Sequence, residues 1–250
     1  MLQTLTPEQS QWVDGTLAGL SLEAAVGQLL CISQFNDDRD YWLPLLERVP
    51  FGGEGAIWQR RGLSQLPGRV AGGIRGPLAG ACQHGTRRGR TARLRHRLPW
   101  PMGIGAADDE TLAATVGQAI AVEARYIGIN WLFNPVIDLN YNPDNPITNI
   151  RALGDDPVRV SRLATAWLRA MQAHGVAATA KHFPGDGIDD RDQHLLTSVN
   201  SLPFDQWLET FGVVWKAVIE AGVMCVMPGH ISLPDYQGYR DNPEAALLLR

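Results

Sequence analysis

Apolar and polar positions along the chain alternate between helical and strand spacing, with glycines at the changeovers. Thr6-Pro7-Glu8-Gln9 has the form of a helix start: Thr6 is placed to cap, Pro7 suits the first helical position, and Gln9 stands where a capping box needs it. A short amphipathic helix to about Gly19 follows. Ser21 opens a second helix with Leu22, Ala25, Val26, Leu29 and Leu30 at helical spacing, and Cys31-Ile32-Ser33 begins a first strand. Residues 37–49 read as a helix and 52–58 as a second strand.

Further on, 108–126 is helical with acids at its start, and 129–139 is apolar, β-branched and aromatic, as a buried strand is. The remaining segments are a helix over 157–173, a strand over 176–183, a helix over 204–221 and a strand over 223–227. Helices alternating with strands predict parallel strands joined by crossover helices, either a barrel or a doubly wound sheet. The polar residues decide for the barrel. Asp138 and Asn140 end one strand, Lys181 and His182 another, and His230 a third, and strand C-termini are where TIM barrels gather their sites. A dinucleotide fold has little support, because Gly103-Ile104-Gly105 precedes a helix without a strand directly before it and without the third glycine.

Composition refines this picture in three ways. A chain that is 45% hydrophobic and of this length forms one large domain rather than two small ones. No apolar run reaches membrane-spanning length, and the first thirty residues lack a basic region followed by an apolar one, so the chain is expected to be soluble, with no membrane partner. Cys31, Cys82 and Cys225 are odd in number and widely spaced; they suggest neither a disulfide framework nor a metal site, and point to a reducing cytoplasm.

The net charge of −4 conceals an asymmetry. Residues 60–97 contain ten arginines, eight glycines and no acidic residue, leaving twelve basic and twenty-six acidic residues elsewhere. A nucleic-acid-binding role for this basic stretch would need aromatic stacking residues, and it has none, so a nucleic-acid partner is not expected.

The candidate chemistry lies in Lys181-His182-Phe183-Pro184-Gly185-Asp186-Gly187 and in Asp192-Gln193-His194. Proline and two glycines force a turn after the strand, so Lys181 and His182 are held at its tip. Taken singly, they could equally be a lysine paired with a buried aspartate and a histidine capping a loop. Asp192 and His194 are two positions apart and can face each other in a loop. A carboxylate on one imidazole nitrogen sets the tautomer, raises basicity and leaves the other nitrogen for proton transfer. Spacing alone allows a solvated acidic loop as well.

Residues 130–234 resemble the N-terminal catalytic barrel of family 3 glycoside hydrolases, through Asn134-Pro135-Val136-Ile137-Asp138-Leu139, Arg151-Ala152-Leu153-Gly154-Asp155-Asp156-Pro157, Thr179-Ala180-Lys181-His182-Phe183-Pro184-Gly185 and Met227-Pro228-Gly229-His230-Ile231. Val26-Gly27-Gln28-Leu29-Leu30 is similar to the family's opening helix. The resemblance implies an α/β fold, a TIM-type (β/α)8 barrel. The Asp-x-His loop is similar to that of the β-N-acetylglucosaminidase branch, which implies His194 as general acid/base and Asp192 as its partner. It also implies Arg151, Lys181 and His182 as donors to sugar hydroxyls, a carbohydrate substrate, and no cofactor or metal. Asp186 departs from the histidine found there in many hexosaminidases.

The implied reaction is retaining hydrolysis of a terminal β-N-acetylglucosaminide or related β-hexoside. The alternatives are a β-glucosidase or glycoside phosphorylase of the same family, or an inactive sugar-binding fragment. The last arises because the family's nucleophile is an aspartate on the seventh strand, several tens of residues past the strand ending at His230. On this reading residues 1–250 are a single barrel domain, C-terminally truncated, with strands seven and eight missing. The region of strand three is aberrant: 60–97 has no strand pattern, and reads as disordered or as translated from a shifted frame, with family-like sequence resuming at Leu98.

Overall fold

A computed structural model describes residues 5–34, 39–48, 53–56, 79–82, 98–126 and 129–236. The chain divides into two compact units, residues 1–95 with 123–132, and residues 96–122 with 133–250.

In the first unit, helix α1 (Pro7–Ala18) starts as expected: Thr6 Oγ1 accepts from Gln9 N at 3.2 Å and Gln9 Oε1 accepts from Thr6 N at 2.9 Å, closing the capping box. Ser21 caps α2 (Leu22–Gly27) through Ala24 N. The apolar stripe of α2 is not covered within the described residues, since Leu22, Val26, Leu29 and Leu30 are all exposed.

Strand β1 (Cys31–Gln34), helix α3 (Arg39–Arg48) and strand β2 (Gly53–Ala56) follow, and β1 and β2 are parallel, Cys31 opposite Gly53. Strand β3 (Ala79–Cys82) then pairs parallel with β2 and with β4 (Trp131–Leu132), Ala81 standing opposite both Gly55 and Trp131. This corrects the expectation that 60–97 contains no strand. Ala-Gly-Ala-Cys has no alternating pattern to reveal it, and strands in parallel sheets need none. The remainder of 60–97 lies outside the described residues.

The second unit is built on α4 (Pro101–Ala107), most of α5 (Glu110–Tyr126), α6 (Pro157–Ala173), β5 (Ala177–Phe183), α7 (Phe204–Glu209), α8 (Phe211–Glu220) and β7 (Cys225–Pro228). Gly103-Ile104-Gly105 precedes α5 as expected and itself lies inside α4, with Ile104 and Gly105 buried. The expected strand over 129–139 is regular only at β4. Pro135 has no N–H for the ladder, yet the segment still follows β5, because Thr179 N donates to Asn134 O at 2.8 Å and Ile137 N to Lys181 O at 2.9 Å.

The helix expected over 204–221 breaks at Thr210, whose hydroxyl donates to Gln206 O at 2.7 Å and whose backbone leaves the helical region. Helix α6 buries Val160, Leu163, Ala164, Trp167, Leu168 and Met171, one continuous stripe, and packs on β5 and α8. β5 and β7 are parallel, Thr179 opposite Cys225, and a two-stranded parallel ladder of β6 (Ser198–Val199) and β8 (Ile231–Ser232) lies beyond them. The expectation of parallel strands with crossover helices holds within each unit.

Candidate active site

Strand β5 delivers Lys181 and His182 to its tip, and the segment running beside it delivers Asp138. Asp138 is 1% exposed and binds three donors. Its Oδ2 lies 2.7 Å from His182 Nδ1, and its Oδ1 accepts from His182 N at 3.0 Å and from Asp186 N at 2.8 Å. One carboxylate thus ties two strand tips to the first turn of the next loop. Burial alone would raise its pKa, but the facing imidazole and the donors outweigh that and hold it below the ordinary carboxylate range. With Asp138 on Nδ1, His182 presents Nε2 as its remaining polar atom.

Lys181 is 2% exposed, with its ammonium 5.9 Å from the centre of the Phe133 ring. Burial, and then the positive charge of Arg151, lower its pKa to about 7 against the opposing pull of Asp138. Arg151 closes the 3-10 turn Asn149–Arg151 and donates from Nη1 to Ile147 O at 2.9 Å. Its own pKa is lowered by burial, while Asp138 and Asp186 act to raise it. Arg151, Lys181, His182, Asp138 and Asp186 therefore form one electrostatic cluster.

Asp192 and His194 meet as their spacing allows. His194 Nδ1 lies 2.7 Å from Asp192 Oδ1, which also accepts from His194 N at 2.9 Å. The backbone N–H and then the imidazole keep the Asp192 pKa low. The His194 side chain is 63% exposed, with Nε2 as its remaining ring nitrogen.

Three buried polar residues connect this pair to the cluster, and motif reading had given them no role. Asp186 Oδ2 accepts from Gln193 Nε2 at 2.6 Å, and Asp186 Oδ1 accepts from Asn145 Nδ2 at 2.8 Å and from Gly187 N at 2.7 Å. Burial, then the nearby Asp138 charge, raise the Asp186 pKa. Gln193 Oε1 accepts from His230 N at 3.0 Å, so His230 takes part through its backbone while its side chain stays exposed. Asn145 Oδ1 accepts from Ile147 N at 2.9 Å and Thr148 N at 2.8 Å. The available signal was Asn145 beside Pro146, a turn-forming pair, and the unusual acid at 186. Gly187 completes the loop at φ +106°, where a Cβ would stand 2.0 Å from Leu139 O.

Parallel strands alternating with helices, with charged side chains gathered at the strand C-termini, define a TIM-barrel-like α/β domain. Residues 69–250 match the family model described as "Glycosyl hydrolase family 3 N terminal domain", and the chain belongs to that family. The match runs through 69–97, which the motifs alone had left out. Among curated relatives, a β-N-acetylglucosaminidase/β-glucosidase of Cellulomonas fimi is 38% identical over 90% of this chain and 40% of its own length. A β-hexosaminidase of Methylobacillus flagellatus is 32% identical over 58% of this chain and 44% of its own. Among solved structures, β-glucoside phosphorylase BglX is similar at TM-score 0.84 and 37% identity, covering 96% of this chain and 42% of that one. A β-N-acetylglucosaminidase of Paenibacillus sp. is similar at TM-score 0.80 and 29% identity, covering 88% of this chain and 44% of that one. The chain thus spans less than half the length of these relatives. No described helix is long and apolar enough to cross a membrane.

Proposed function

We propose that the protein containing this chain is a retaining glycosidase that hydrolyses terminal β-N-acetylglucosaminides or related β-hexosides, with His194 as acid/base and Asp192 as its partner. The observation that carries this reading is the 2.7 Å contact between Asp192 and His194 on the loop directly after the Lys181–His182 strand tip. Arg151, Lys181 and His182 offer several donors to one sugar ring, which suits a ligand rich in acceptor oxygens. An aspartate attacks the anomeric carbon as the glycosidic bond breaks and His194 Nε2 protonates the departing oxygen. The neutral imidazole then takes a proton from the water that displaces the sugar from the enzyme. The chain is a single barrel domain, and three widely spaced cysteines suit a cytoplasmic place in carbohydrate metabolism.

A second reading, glycoside phosphorolysis, is favoured by the likeness to the β-glucoside phosphorylase. An imidazole acid/base, unlike a carboxylate, does not repel a phosphate acceptor. Assay of the full-length protein on aryl β-N-acetylglucosaminide and aryl β-glucoside, with and without inorganic phosphate, separates the two. Free sugar in both conditions supports hydrolysis, and sugar 1-phosphate supports phosphorolysis. Turnover by residues 1–250 alone that His194→Ala abolishes would remove the reading of an inactive sugar-binding fragment; activity of the full-length protein unaffected by that substitution would overturn His194 as acid/base.

A further inference from the structure

Between the two residues of the proposed acid/base pair stands Gln193, which is 4% exposed although Asp192 and His194 on either side reach solvent. A buried carboxamide has four hydrogen-bonding positions, and here the environment dictates which end faces which way. The His230 backbone N–H can only donate, so the Gln193 oxygen must face it, at 3.0 Å. The Asp186 carboxylate accepts from two other donors, so the Gln193 NH2 must face it, at 2.6 Å. Asp186 is anchored through its backbone N–H to Asp138, the same carboxylate that orients His182. The loop has other tethers, among them Asp189, whose carboxylate pairs with Arg191 and accepts from Val199 N at 2.7 Å. That one ties the loop to Arg191 within it and to β6. Among the described residues, Gln193 alone ties the segment holding the acid/base pair both to the loop start at Asp186 and to His230, two residues past β7.

We propose that Gln193 is the positioning residue for proton delivery: its carboxamide, clamped between the Asp186 carboxylate and the His230 backbone, sets where the neighbouring His194 imidazole stands relative to the glycosidic oxygen. This inference rests on the reading of His194 as acid/base. It also explains the acid at position 186, since a glutamine NH2 at 193 needs an acceptor there.

A positioning role predicts a loss that depends on the leaving group. Alkyl glycosides need protonation of the departing oxygen, whereas dinitrophenyl glycosides hardly do. Gln193→Ala is expected to lower kcat/KM about 100-fold on an alkyl β-N-acetylglucosaminide, the cost of a displacement of about 1 Å, with a much smaller loss on the dinitrophenyl substrate. Asp186→Asn and Gln193→Glu each place two like groups face to face and are expected to show the same selective loss. The double variant Asp186→Asn/Gln193→Glu reverses the direction of that one hydrogen bond, keeps the other contacts and preserves the net charge. It is expected to recover alkyl glycoside turnover to within about tenfold of wild type.

Equal losses on both substrates, or no recovery in the double variant when melting shows it folded, would overturn the proposal. His194→Ala, run alongside, separates the two levels. If it spares alkyl glycosides, the acid/base reading fails; if it does not but Gln193→Ala does, only the positioning role fails.

Discussion

The ammonium of Lys181 is held where almost no water reaches it, with the positive charge of Arg151 close enough to lower its pKa to about 7. The unfolded chain binds that proton up to the ordinary value of 10.5. Between those two values the unfolded state carries more protons, so stability rises with pH across that window; below about 7 the full penalty of the buried charge applies. A sugar oxygen as acceptor would offset the penalty, so a lysine costly to the fold would be useful to the proposed site. Lys181→Met is therefore expected to be more stable than wild type by about 1–2 kcal/mol at acidic and neutral pH, with the gap closing as pH rises through the window and sugar binding lost. Denaturant midpoints measured across pH check this, and a destabilised variant would refute it. Lys181, His182 and the Asp192–His194 pair were legible in the chain because each stands at a strand tip or faces a neighbour two residues away. Asp186, Asn145 and Gln193 were not, because polar residues in a loop look alike until partners about forty residues distant exclude water from them.

Helix α6 shows how an element turns pattern into packing. Its bounds match the sequence reading because Asp156 accepts from Arg159 N at 2.6 Å as a cap, Pro157 occupies the first turn and the apolar stripe runs unbroken. Leu168 is fully buried in that stripe, and Leu168→Ala is expected to cost about 2–5 kcal/mol, read from thermal or denaturant unfolding. At Gly117 in α5, an added Cβ would stand 2.6 Å from Trp167 O, a contact with α6 backbone that no side-chain rotation relieves. The break at Thr210 and the shortening of β4 were not legible. Both depend on which backbone groups find partners, and apolar periodicity does not report that.

For the molecule as a whole, ligand linkage gives the broadest test. If the described cluster holds the sugar, N-acetylglucosamine at about a hundredfold above its Kd stabilises the folded state by about 2.7 kcal/mol. The melting temperature of wild type is then expected to rise with ligand and that of Lys181→Met to stay flat; a rise in both would place the sugar elsewhere. At this scale the membership in glycosyl hydrolase family 3 and the parallel α/β architecture were readable from motif order and alternating periodicity. Strand β3 was not, for lack of any pattern in Ala-Gly-Ala-Cys.

What the chain determines by itself is whatever neighbours within a few residues decide: the capping box at Thr6, the bounds of α6, the contact of Asp192 with His194. Tertiary structure alone decides that Asp138 meets His182 across 44 positions, that Asn145 meets Asp186 across 41, and that Gln193 spans 37 to reach His230. The reason is physical. Local hydrogen bonds and periodic faces are set by backbone geometry, whereas these contacts require strands brought into register and water removed, and with water removed a polar group must find its partner.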